Sequence, residues 1–118
     1  MRLGIFVVGL GAILAVPPGA LAVEPSNGGP LKLGAYECWH FSTARLGLNF
    51  HLDDPSHYTD ADGKAGTFLY DPDSGKLSFS GAGLDGQTVM FQRWPNGGAK
   101  VSFRNAAGDE TDFCDFTP

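Results

Sequence analysis

Gly34-Ala35-Tyr36-Glu37-Cys38-Trp39-His40-Phe41 is the stretch on which the fold turns. Its mix of Tyr, Trp and Phe suits a pleated, half-buried surface, so Ala35–Phe41 is read as the first strand. It also carries one of the chain's two cysteines; the other, Cys114, lies four residues from the C-terminus. A bond between them staples the first strand to the last. Tyr36, Cys38 and His40 share one side of this strand; Glu37, Trp39 and Phe41 share the other. The glutamate argues that the Cys38 side points inward.

The chain downstream repeats this strand grammar. Ser42–Arg45 is a turn. Leu46-Gly47-Leu48-Asn49-Phe50-His51-Leu52 alternates, which predicts one strand with Leu46, Leu48, Phe50 and Leu52 inward and Asn49 and His51 outward. His57-Tyr58-Thr59 reads as a short extended piece at most. Gly66–Tyr70 and Leu77–Ser80 are strands around Asp71-Pro72-Asp73-Ser74-Gly75, a hairpin signal. Gly81–Gly86 is a loop. Gln87–Trp94 has Val89 and Phe91 on one side and Met90 and Trp94 on the other, so one face covers the core and the other meets a loop or a ligand. Lys100–Arg104 alternates with Val101 and Phe103 inward and the charges outward. Thr111–Phe116 delivers Cys114.

Seven or eight short strands joined by Gly/Asp/Pro turns, without a capped amphipathic helix, predict an all-β antiparallel meander of eight strands. It is a barrel or a barrel-like sandwich. First and last strands of a meander are neighbours only if the sheet closes. A disulfide needs Cα atoms about 5.5–6 Å apart, so a Cys38–Cys114 bridge favours the barrel.

The N-terminus sets the compartment. Met1-Arg2 is positive, Leu3–Val16 is apolar and uncharged, and Ala20-Leu21-Ala22 is a small-x-small site. These are the parts of a secretory signal peptide over residues 1–22. The apolar run is shorter than the roughly 20 residues of a spanning helix. Val23–Leu33 is a Pro/Gly/Asn-rich, flexible lead-in, and 34–118 is one domain. The expected product is periplasmic or secreted, a monomer with no membrane span. Two cysteines in an exported chain read as one disulfide. Without Arg2 the chain keeps seven basic against thirteen acidic residues, a charge of −6. No Lys/Arg cluster offers a phosphate-binding patch, which sets nucleic acid aside.

Catalytic signals are sparse. Asp71-x-Asp73-x-Gly75 and Asp60-x-Asp62-Gly63 are fragments of a calcium loop without its remaining ligands, and read as turns. His51, Asp53 and His57 have donor chemistry for a transition metal, yet histidines beside a turn need no metal. Gly-x-Ser-x-Gly does not occur. No metal or cofactor is expected. The aromatic residues Trp39, Tyr58 and Trp94 are not all placed in the core by alternation. With His40 and His57 they form a candidate binding patch at a barrel mouth.

The pattern Gly34-x-Tyr36-x-Cys38-Trp39, His57-Tyr58 before Gly63, Gly66-Thr67-Phe68, Lys76-Leu77-Ser78-Phe79-Ser80-Gly81 and the terminal Cys114 resembles small secreted bacterial proteins without an assigned function. A looser likeness is to the periplasmic inhibitors of C-type lysozyme, which are small disulfide-bearing barrels with a Tyr-x-Cys near the start. Their Ser-Gly-x-x-Tyr loop is not present. Ser56-His57-Tyr58 echoes it only in part, so the likeness implies a fold and no inhibitory residue. The expected function is a non-enzymatic binding module for a protein or envelope component. A small-molecule carrier with a cavity in the barrel is the second reading, and a small hydrolase the third.

Overall fold

The computed structural model describes residues 24–118. The signal peptide expected over 1–22 lies outside them. Among the described residues the strands are β1 (Ser26–Asn27), β2 (Gly34–His40), β3 (Thr43–Ala44), β4 (Phe50–Leu52), β5 (His57–Thr59), β6 (Ala65–Tyr70), β7 (Lys76–Ser80), β8 (Thr88–Arg93), β9 (Ala99–Arg104) and β10 (Glu110–Thr117). Eight of them close an antiparallel barrel in the order β2-β4-β5-β6-β7-β8-β9-β10 and back to β2. Closure leaves the wall without a free edge. The all-β meander barrel expected from the strand count is therefore the fold.

The closing seam is β2 against β10, with Cys38 opposite Cys114 in register. The two are disulfide-bonded, and their Cα atoms are 3.8 Å apart. That is closer than the general 5.5–6 Å. The Cys38 N–H donates to Asn49 Oδ1 and its carbonyl accepts from the Arg45 N–H, so neither group faces β10. The cysteines thus meet at a non-hydrogen-bonded position, where opposed Cα atoms come nearest.

Alternation fills the barrel. Tyr36, Cys38, Phe50, Leu52, Tyr58, Phe68, Leu77, Phe79, Val89, Phe91, Val101, Phe103 and Cys114 are buried. The Cys38 side of β2 is inward, as Glu37 implied. Aromatic rings run through the interior: Tyr36 stacks on Phe50 at 5.0 Å, and Phe79 meets Phe50 at 5.5 Å and Tyr58 at 4.7 Å. Edge-to-face and offset contacts of this kind add to the burial of the rings themselves.

Three expectations need correction. The strand read over Leu46–Leu52 is a strand only over Phe50–Leu52. Leu46–Leu48 is a 3-10 turn, and Leu46 is 71% exposed. The cause is Asn49, whose side-chain carbonyl takes the Cys38 N–H that a ladder carbonyl takes in a regular pair. His57–Thr59 is a full wall strand, paired to β4 and β6. The lead-in carries β1, paired to β8 past the end of β7. Gly28 and Gly29 hold it there, donating backbone N–H bonds to Phe91 and Pro72. Both have φ above +80°, a conformation that glycine adopts without steric cost.

Candidate functional site

The five residues of the expected patch do not come together. Tyr58 is core, fully buried on β5. Its hydroxyl donates to the Gly81 carbonyl and accepts the Leu84 N–H, so it anchors the 81–86 loop, where Ala82–Leu84 is a 3-10 turn. Burial pushes the Tyr58 phenol pKa up, against the Leu84 N–H, which lowers it; Asp60 and Asp85 add to the rise.

The histidines lie at opposite ends of the barrel. His40 Nδ1 is 2.8 Å from the Thr111 carbonyl and 3.1 Å from Asp112 Oδ1. Both partners are acceptors, so Nδ1 carries the proton. Arg45 donates to the same carboxylate at 3.2 Å. Next to His40, Phe41 has φ +54° and is 74% exposed.

His57 follows the turn at the other end. Its Nδ1 is 2.9 Å from Asp54 Oδ1 and 3.1 Å from Ser56 Oγ. These are the residue types of a serine-hydrolase relay, but a relay needs the serine and the acid on opposite ring nitrogens. Here both sit on Nδ1. His51 pairs with Asp53 at 2.7 Å, apart from the His57–Asp54 pair. Among the described residues no three His, Cys, Asp or Glu side chains converge as a ligand set.

The two Asp-Gly stretches are turns. Asp60 Oδ1 accepts the N–H groups of Asp62 and Lys64, and Oδ2 accepts that of Gly83. The first turn is thereby tied to the 81–86 loop, and the Lys64 bond leads the effects that lower the Asp60 pKa. Asp71 accepts from Asp73 N–H and Ser74 Oγ within its own hairpin.

Trp39 and Trp94 stand on one surface, the outer wall of β8, β9, β10 and β2. Register sorts this wall into two rows. Gln92 faces Lys100, Lys100 faces Asp115, and Asp115 faces Glu37. One pleat along, Met90 faces Ser102, Ser102 faces Phe113, and Phe113 faces Trp39. A polar row thus lies between a largely apolar one and Trp94, which follows Gln92 by two residues.

Outer positions of a barrel are normally open to water, yet Ser102 is 0% exposed and Gln92 7%. Gln92 is covered by β1, through Asn27, and Ser102 by the Lys100–Glu110 pair. Lys100 Nζ sits 5.3 Å from the Phe113 ring centre and 5.7 Å from that of Trp94, and pairs with Glu110 at 3.0 Å. The same Glu110 accepts the Ser102 hydroxyl at 2.7 Å. Beside Trp94, a shallow recess of about 310 Å³ is lined by Ser26, Arg93, Pro95 and Gly97.

Sequence reasoning put Lys100 outward, put Trp39 on the face opposite Cys38, and put Met90 and Trp94 on one face of β8 without deciding which face was inner; it missed Phe113 and Ser102. The available signal was the alternation of β10: with Cys114 inward, Phe113 is outward and apolar. No known protein family, curated protein or solved structure matches the chain.

Proposed function

We propose that this protein is an exported, non-enzymatic binding module that recognises a protein or envelope component through the outer wall of β8, β9, β10 and β2. The observation that carries the reading is the row Met90–Ser102–Phe113–Trp39, mostly apolar, on the solvent side of a closed barrel, with Trp94 on the same wall across the polar row. Aromatic residues on a rigid support anchor interfaces at low entropic cost. The disulfide is compatible with an oxidising compartment, which supports a periplasmic or secreted location.

Native mass spectrometry of the protein purified from its own host, beside the Trp39→Ala/Trp94→Ala variant, tests this. A large added mass on the wild type that the double variant loses supports the reading. A small added mass retained by both moves the protein to the carrier class, and a large mass retained by both removes this wall as the binding surface.

A further inference from the structure

The polar row contains a charge arrangement that works against the fold. Glu37 and Asp115 are directly opposite across the β2–β10 seam. Like charges at such a position destabilise a sheet. Both residues are exposed. Lys100 faces Asp115 from the other side, but its ammonium is paired with Glu110. Among the described residues no basic side chain forms an ion pair with Glu37 or Asp115. Partial desolvation and Glu110 push the Asp115 carboxyl above its usual range, against the pull of Lys100.

One pleat away, Trp39 and Phe113 are also directly opposite. Two carboxylates and two rings therefore make a square on the outer wall. At the far end of the same polar row, Gln92 is 7% exposed, and its Oε1 is buried without a hydrogen-bond partner among the described residues. The Gln92 amide nitrogen donates to Asn27 of β1, which packs against it.

We propose that the square of Glu37, Asp115, Trp39 and Phe113 docks an arginine- or lysine-bearing segment of a partner protein. The cationic side chain lies between the carboxylates and against Trp39, since Lys100 already lies over the Phe113 ring. Aromatic faces attract cations, Trp most strongly. Carboxylates are natural partners of a guanidinium. The seven basic and thirteen acidic residues outside the signal segment favour a basic partner in long-range encounter. Glu37 and Gln92 are three strand spacings apart, roughly 14 Å. An extended segment of about four or five residues spans that distance along the row. The proposal rests on the binding-module reading and narrows its partner to a basic polypeptide.

The test is calorimetric titration, followed also by tryptophan emission, with the peptide Gly-Arg-Gly-Arg-Gly-Arg and its glutamate counterpart. The wild type is expected to bind the arginine peptide saturably and to leave the glutamate peptide free. Glu37→Gln/Asp115→Asn is expected to lose about tenfold in affinity or more. Asp62→Asn/Asp73→Asn removes the same charge at two exposed turns, and is expected to hold affinity within about twofold, the residue of long-range attraction.

Equal losses in both double variants, equal binding of the glutamate peptide, or no saturable binding overturns the proposal. The Glu37→Gln/Asp115→Asn variant relieves a repulsion, so its unfolding temperature should not fall, and lost binding is separable from lost structure. The host partner's added mass separates the two readings. Retained by this variant but lost by Trp39→Ala/Trp94→Ala, it keeps the binding wall and excludes a basic partner. Retained by both, it removes the wall as well.

Discussion

Tyr58 shows at the scale of one residue how much a short strand can carry. Its ring packs on Phe79 while its hydroxyl satisfies two backbone groups of the 81–86 loop. The fit is close: a Cβ on Gly66 would collide with this ring and approach the Gly81 and Ser80 carbonyls to 2.8 and 2.9 Å. Tyr58→Phe keeps the ring and strands the Leu84 N–H and the Gly81 carbonyl. The expected cost is about 1–3 kcal/mol by equilibrium denaturation, with faster amide exchange at Leu84. A change below a few tenths of a kcal/mol would mean that water reaches both groups. The sequence marks Tyr58 only as an aromatic in a short extended piece. Its role depends on Gly81 and Leu84, more than twenty residues away, and no local pattern encodes that meeting.

Carboxylates set the acid response. Asp54, Asp60 and Asp71 are all held below the usual carboxylate range, with backbone N–H bonds from Ser56, Lys64 and Asp73 as the leading causes. A lowered folded pKa contributes stability that is present above the unfolded value of about 3.9 and lost as pH falls through the folded value. Asp115 has the opposite sign and offsets part of this, since its raised pKa favours the folded state on the acid side. With three carboxylates lowered and one raised, the unfolding midpoint is expected to be flat from pH 7 to about 5 and to fall below about 4. Asp60→Asn should flatten that fall, measured by thermal melts at matched ionic strength. A midpoint that rises on acidification would show that Asp115 outweighs the three.

Among the elements, the segment around β4 separates what alternation can and cannot give. Leu46, Leu48, Phe50 and Leu52 are evenly spaced, yet only the last two are strand residues and buried. Periodicity records which residues are apolar, not where a side chain takes over a ladder bond, and Asn49 does so. Leu46→Ser is therefore expected to change stability by less than about 0.5 kcal/mol, as at exposed sites generally. Leu52→Ala should cost about 2–5 kcal/mol through lost burial and a cavity. Chemical denaturation of the pair checks this, and similar losses at both positions would restore a continuous strand. The candidate surface was legible to the same limited degree. Val89 and Phe91 stood on one face of β8 and Met90 and Trp94 on the other, and with apolar groups on both the spacing did not say that Val89 and Phe91 are the buried pair. That Met90 lies beside Ser102 and Phe113 follows from barrel register, which hydrophobic spacing does not contain.

For the whole molecule, the barrel was legible because two distant signals agree: a run of short strands and a cysteine at each end. The bond spans 76 residues of sequence and joins the strands that close the wall. On the chain-entropy account, closing a loop of that length in the unfolded state raises stability by about 4–5 kcal/mol, and measured gains often fall short. In the folded state the same bond holds the seam where Glu37 faces Asp115, so the covalent link and the charge pair oppose each other across one ladder. Cys38→Ser/Cys114→Ser should lower the unfolding free energy by about 2–5 kcal/mol, and adding Glu37→Gln should restore about 0.2–1 kcal/mol of it at low salt. Urea denaturation of both variants, at low ionic strength and at about 1 M salt, tests the two terms together, since salt at that level screens the carboxylate repulsion. If Glu37→Gln gives no recovery at either salt, the seam carries no repulsion, and the disulfide alone accounts for its stability.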